Sequence, residues 1–210
     1  MELSGTIPDL SALTELEELY MGINGITGTI PRLDSLTKLN GLYLSSNQLE
    51  GEIPASLSDL TLLENLQLHN NQLSGTIPDL SRLTQLMILR LDRNQLSGPI
   101  PPELNDLTRL QTLKLFDNQL TGSVPDLSAL TKLTEIEFYA NQLSGALPDS
   151  DMLPPFLTLL NLSRNQFTSI SDLSGLSALK ELWLQNNQLG GEVPVSLTSL
   201  NTLISDKLDI

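Results

Sequence analysis

Leu86-Met87-Ile88-Leu89-Arg90-Leu91-Asp92-Arg93-Asn94-Gln95-Leu96-Ser97-Gly98-Pro99-Ile100-Pro101 is the stretch that decides the fold. Leu86, Leu89 and Leu91 are the inward residues of a short extended segment in which Leu89 and Leu91 alternate with outward Arg90 and Asp92, as a half-buried strand requires. Asn94 turns the chain with an amide that offers two donors and an acceptor to the backbone. Leu96 returns to the interior, Gly98 admits a backbone conformation closed to most residues, and Ile100-Pro101 is extended because proline disfavours a helical predecessor. The frame L-x-x-L-x-L-x-x-N recurs eight times at spacings of 22 to 24 residues, closing on Asn24, Asn47, Asn71, Asn94, Asn118, Asn141, Asn165 and Asn187. A period in that range predicts a solenoid that stacks one strand per repeat into a curved parallel sheet. Stacked eight deep, the asparagine amides form a ladder that is either fully satisfied or costly.

The remainder of each repeat follows from the same logic. The Ile-Pro step recurs as Ile7-Pro8, Ile30-Pro31, Ile53-Pro54 and Ile77-Pro78, and in apolar variants as Val124-Pro125, Leu147-Pro148 and Val193-Pro194, which predicts a second short strand on the flank. After the proline, segments such as Asp79-Leu80-Ser81-Arg82-Leu83 predict one helical or 3₁₀ turn capped by an Asp or Ser. From the second repeat the spacing alternates 24, 23, 24, 23, 24 before falling to 22, with the extra residue in this convex segment. The seventh repeat is irregular: Pro154-Pro155-Phe156 precedes its strand and Ser169-Ile170-Ser171 replaces the Gly-Ile-Pro element, so the second sheet is expected to break there.

The chain has 210 residues, 40% of them hydrophobic and most of those leucines at framework positions. One continuous domain over 1–210 is the economical reading, with a partial repeat at 1–15, eight repeats over about 16–202 and a partial repeat at 203–210. A net charge of −14 argues against nucleic acid and against anionic membrane surfaces. The absence of cysteine excludes disulfides, thiolate metal sites and a cysteine nucleophile. There is neither a signal-peptide pattern nor an apolar run of membrane-spanning length, so no membrane insertion is expected of this segment. The numbering begins inside a repeat. Leu3, Ile7, Leu10 and Leu13 therefore read as a first coil with an uncovered face open to self-association, while Asp206 and Lys207 read as a polar ending.

The string L-x-x-L-x-L-x-x-N-x-L-x-G-x-I-P resembles the plant-type leucine-rich repeat family over essentially the whole chain. Receptor-like kinase ectodomains and polygalacturonase-inhibiting proteins are its familiar members. The resemblance implies a mostly β member of the α/β solenoids: a right-handed superhelix with a concave parallel sheet, a partial second sheet and short turns on the convex side. It also implies a non-enzymatic binding role, usually toward proteins, peptides or cell-wall ligands, and an extracellular or cell-surface setting. The cysteine-bearing caps usual in that family are absent, and a plant origin does not follow.

Function must then be read from positions the framework leaves free. Counting the first leucine of the frame as one, places five, seven and eight point onto the concave face. Every tyrosine (Tyr20, Tyr43, Tyr139), the only tryptophan (Trp183) and the only histidine (His69) occupy places five or seven. With Arg90, Arg93, Lys114 and Phe116 they are the expected contacts for a protein or peptide ligand, since Trp, Tyr and Arg most often dominate interface energy. The bland alternative is that cross-strand aromatic pairs merely stabilise the sheet, by ~0.2–1 kcal/mol each. Arg90, Arg93 and Lys114 read as a local basic patch interleaved with Asp92 and Asp117 and flanked by Glu135 and Glu137. Catalysis finds little support, because His69 would need all partners of a triad around one strand. No cofactor or metal is expected: calcium-loop oxygen spacing and phosphate-cradling glycine loops are both absent. The single glycosylation sequon, Asn161-Leu162-Ser163, lies in a strand and is adequately explained by chance. Two alternatives stay open. A hydroxyl-rich edge through Ser4, Thr27, Ser74, Ser97, Thr121, Ser144 and Thr168 could face ice or polysaccharide, and the chain could be a scaffold section of a larger receptor.

Overall fold

The computed structural model describes residues 3–190. Val193-Pro194, the repeat boundary near 202 and the ending at Asp206 and Lys207 lie outside the described residues. In chain order the first eight strands are β1 (Ser4–Thr6), β2 (Glu18–Tyr20), β3 (Gly25–Gly28), β4 (Gly41–Tyr43), β5 (Gln48–Glu52), β6 (Asn65–Gln67), β7 (Gln72–Ser74) and β8 (Ile88–Arg90). The second eight are β9 (Ser97–Pro99), β10 (Thr112–Lys114), β11 (Gln119–Gly122), β12 (Glu135–Glu137), β13 (Gln142–Ala146), β14 (Leu159–Asn161), β15 (Gln166–Ser169) and β16 (Glu181–Trp183). All even-numbered strands join, each parallel to the next, into the eight-stranded concave sheet. The odd-numbered strands make the flank.

Strands of three residues cannot stand alone, and the interior shows what holds them. Place one, four and six side chains are removed from solvent coil after coil, as with Leu86, Leu89 and Leu91 at 0% exposure. The asparagines close the stack as expected. Asn94 Nδ2 donates to Leu91 O and to Leu68 O of the preceding coil, both at 3.1 Å, and its Oδ1 accepts from Leu73 N at 3.0 Å. One side chain thus ties its own turn to the neighbouring coil, and the same bonds recur from Asn47 to Asn187.

The residue before each asparagine carries a feature no sequence pattern announced. Ile23, Ser46, Asn70, Arg93, Asp117, Ala140, Arg164 and Asn186 all adopt positive φ between 54° and 59°. Asn and Asp tolerate that region, whereas β-branched Ile23 takes it at a steric cost.

The alternation of spacing has a structural cause. The three 24-residue repeats place 3₁₀ turns at Ala55–Asp59, Pro102–Asp106 and Ser150–Met152, whereas the 23-residue repeats run through the convex side without one. The expected caps are corrected: none of these turns has a side-chain cap. Aspartates instead brace the helix-free segments, Asp79 Oδ1 accepting from Ser81 N at 2.8 Å and Asp126 Oδ1 from Ser128 N at 2.8 Å. Those bonds favour the ionised form and hold both carboxyls below the usual 3.8.

The second sheet also departs from expectation. It is two four-stranded sheets, β1-β3-β5-β7 and β9-β11-β13-β15, linked by a single Thr76–Ser97 bridge. The break therefore falls at the fourth repeat. Gln95 N donates to Leu73 O and Ser97 N to Gly75 O, each at 2.8 Å, but the next rung would need an N–H from Pro99, which has none. At the irregular seventh repeat β15 still pairs with β13, with a register shift between Gly145 and Ala146.

Candidate functional site

The concave sheet sorts the large side chains into three groups by strand. Tyr20 of β2 and Tyr43 of β4 stack with ring centroids 4.3 Å apart and planes 3° from parallel. Tyr20 is 65% exposed, so this pair presents an open aromatic face. Three strands further along, Phe116 and Tyr139 stack at 4.5 Å and 9°, and the Arg93 guanidinium sits 5.5 Å from the Phe116 ring centroid. Phe116 is only 6% exposed: it is the floor on which Tyr139 and Arg93 rest, and these two meet solvent. Trp183 stands apart on β16, its Nε1 donating to Glu181 Oε2 at 3.3 Å.

The basic patch read from the sequence is largely neutralised from within. Arg90 Nε and the Arg90 terminal nitrogen donate to the two oxygens of Asp92 at 3.1 and 3.0 Å, and Asp92 is fully buried. Lys114 Nζ donates to Glu137 Oε1 at 2.6 Å. Arg93, exposed and without a salt bridge among the described residues, is the cation this cluster leaves available.

His69 lies beside this group with its Nδ1 buried and lacking a hydrogen-bond partner. Burial, helped by the charges of Arg90 and Arg93, holds the imidazole below its ordinary 6.5, while Asp92 pulls the other way. A folded value below the unfolded one means that the unfolded chain binds the proton more tightly. The neutral ring's contribution is therefore intact above 6.5 and is lost as pH falls from 6.5 toward the folded value. The His69 ring proton should titrate with a midpoint under 6.5 by NMR, and Asp92→Asn should lower it further. A midpoint at or above 6.5 contradicts this environment.

Two other features resolve plainly. Asn161 Oδ1 accepts from Ser163 Oγ at 2.7 Å, and Ser163 is 4% exposed, so the sequon is engaged in the sheet. Near the hydroxyl edge, Thr6 and Thr76 have a packing role: a Cβ at Gly28 or Gly98 would come within 2.9 Å of the Thr6 or Thr76 methyl, so these threonines fill the space that the next coil's glycine vacates. Sequence reading missed both the buried position of Asp92 and the floor role of Phe116, because alternation assigns a face without saying which side chains close over it.

Among the described residues no group of three or more His, Cys, Asp or Glu could hold a metal ion, and no helix is long and apolar enough to cross a membrane.

The repeat frame and the parallel concave sheet define a class of solenoid rather than one protein. Leucine rich repeat models match residues 38–60, 62–82 and 85–107, and a two-copy leucine rich repeat model matches 155–192. The chain is similar to the ectodomain of the Arabidopsis thaliana membrane receptor kinase GASSHO1/SCHENGEN3, solved in complex with CASPARIAN STRIP INTEGRITY FACTOR 2, at 38% identity and a TM-score of 0.88 over 95% of this chain and 25% of that one. It is similar to the Arabidopsis receptor kinase HAESA, solved with the peptide hormone IDA and the co-receptor SERK1, at 32% identity and a TM-score of 0.75 over 96% and 39%. A plant ice-binding protein matches at 31% identity and a TM-score of 0.67 over 91% and 71%. This chain therefore belongs to the leucine-rich repeat family, in its plant-type class. It spans a quarter to two fifths of the two receptor ectodomains. No curated protein matches it.

Proposed function

We propose that this chain is a non-enzymatic recognition module that holds a protein or peptide segment on its concave sheet. The carrying observation is the Phe116–Tyr139 stack with Arg93 lying over it, beside His69 and the internally paired Arg90 and Lys114. Preassembled aromatic and guanidinium groups lose little conformational freedom on binding, which is what makes such residues strong anchors. Tyr20 and Tyr43 on one side and Trp183 on the other supply outlying contacts for a segment running across the strands. The receptor ectodomains it resembles, HAESA with its peptide hormone among them, support the same reading. With a net charge of −14, nucleic acid is not among the proposed ligands.

Peptides selected from a random display library against the intact protein provide the test. Arg93→Ala combined with Tyr139→Ala should weaken them by about 30-fold, the equivalent of ~2 kcal/mol for a central anchor, with an unchanged circular dichroism spectrum. Arg93 is preferred to Arg90 because removing Arg90 strands the buried Asp92 carboxylate. Selected peptides that bind the double variant undiminished would place recognition elsewhere.

Similarity to a plant ice-binding protein favours a second reading, in which the hydroxyl edge meets an ordered lattice. The interruption at Pro99 and the packing of the threonine methyls onto glycines weigh against a flat regular array. Ice recrystallisation inhibition by the intact chain at micromolar concentration would favour this second reading over the first.

A further inference from the structure

Among the described residues the concave sheet has one local opening. At each other junction between successive coils, the carbonyl just before one strand accepts two amides from the next coil. Met87 O takes Gln111 N at 2.8 Å and Thr112 N at 3.1 Å, and Thr134 O takes Thr158 N at 2.7 Å and Leu159 N at 3.2 Å. Between β10 and β12 that rung is missing. Gln111 O accepts neither Thr134 N nor Glu135 N, and pairing starts only at Leu113 with Ile136. Further along, the bond from Leu115 N to Glu137 O is stretched to 3.3 Å, against 2.9 to 3.0 Å for its six equivalents at the other junctions. The parted strands leave a cleft of about 330 Å³ lined by Gln111, Thr112, Lys114, Thr134, Glu135 and Glu137.

The chemistry of this cleft is asymmetric. An unmade rung leaves the carbonyl of exposed Gln111 as an acceptor without its cross-strand donor, open to a ligand N–H. Lys114 and Glu137 neutralise each other at 2.6 Å, so the Glu135 carboxylate, without an ion pair among the described residues, leaves the cleft one negative charge. A carbonyl and two carboxylates against a single ammonium form an acceptor-rich pocket that suits a cation with several N–H donors. Position adds to this: Glu137 and Tyr139 are two residues apart on one coil, about 7 Å along the strand direction, so the cleft adjoins the aromatic platform.

We infer that this opening between β10 and β12 is a subsite for the cationic side chain, guanidinium or ammonium, of a peptide lying on the concave face. The inference rests on the function proposed above, but it is tested without any peptide ligand. Backbone amides of the intact chain are followed by NMR while acetyl-arginine methylamide, acetyl-lysine methylamide and neutral acetyl-citrulline methylamide are titrated separately. Saturable shifts centred on Thr112 and Glu135 are expected with one or both cations, with none from citrulline, and Glu135→Gln should weaken them at least fivefold. Equal shifts from citrulline, shifts spread evenly over the acidic surface, or indifference to Glu135→Gln would each overturn the subsite. Hydrogen exchange tests the premise independently: the Glu135 amide should exchange at least tenfold faster than that of Leu159. Equal protection means that the rung is closed and sinks the inference. Selected peptides that engage Tyr139 without any cation would leave the proposed function standing and remove only this subsite.

Discussion

Replacing Asn165 by alanine should lower the unfolding free energy by about 3 kcal/mol, the cost of several lost bonds plus one buried orphan. Asn165 is 7% exposed and its amide is fully engaged: Nδ2 donates to Phe138 O at 3.0 Å, Leu162 O at 3.1 Å and Ser163 O at 3.2 Å, and Oδ1 accepts from Leu143 N at 3.0 Å. The three carbonyls each keep another donor, from Asn141, Asn187 and Ala140 respectively. The Leu143 N–H does not, and it is buried, so it is the group that carries the cost. Asn24→Ala is the control, because its Oδ1 partner Leu3 N lies at the exposed first coil, where water replaces the bond. Urea unfolding followed by circular dichroism reads both variants. A loss at Asn165 no larger than that at Asn24 would contradict the ladder as a stabilising device.

A loss of about 3–5 kcal/mol is expected for Phe138→Ala, the usual range for deleting a fully buried aromatic ring. Place six is Met or Leu in every other coil, from Met21 to Leu184, and only here a phenylalanine, 0% exposed. Phe167, also fully buried, is the corresponding exception at the position two residues after the asparagine. Phe138 lies in the coil before the irregular seventh and Phe167 within it. Because each coil touches only its neighbours, damage here should loosen the coils beyond it first. Trp183 is the sole tryptophan and lies on that far side, so its fluorescence should report unfolding at lower urea than circular dichroism in Phe138→Ala. Coincident transitions would count against such local loosening. The two substitutions should not be additive, since Asn165 donates to the Phe138 carbonyl.

Much of this molecule was legible before any coordinates. The leucine frame, the asparagine ladder, the concave sheet and the identity of its outward columns all follow from a repeat whose neighbours are identical by construction. What one coil does, the next must do, so register is carried by period alone. Legibility failed where coils differ. Pro99 removes one N–H and splits the flanking sheet, which a reading tuned to the obvious irregularity at Ser169-Ile170-Ser171 assigned to the wrong repeat. The expected Asp and Ser caps failed for a related reason: an aspartate's short side chain can brace an ordinary turn as readily as cap a helical one.

The columns of place five, seven and eight named the candidate contacts, but not which of them face outward. Asp92 and Phe116 belong to those columns and yet are buried, because Arg90 closes over one while Tyr139 and Arg93 lie over the other. Coverage of Phe116 depends on side chains 23 residues away in the adjoining coils, and that of Asp92 on a rotamer of Arg90 two residues back. The left-handed turn before every asparagine and the open rung between β10 and β12 are likewise invisible in a string of letters. By itself the sequence determined the coil, its period and which residues belong to the columns of the concave sheet, since those need only local propensity and repetition. Tertiary structure alone decided which charges are spent on each other, which ring is floor and which is surface, and where the sheet opens, because those outcomes rest on side-chain and strand distances within and between coils.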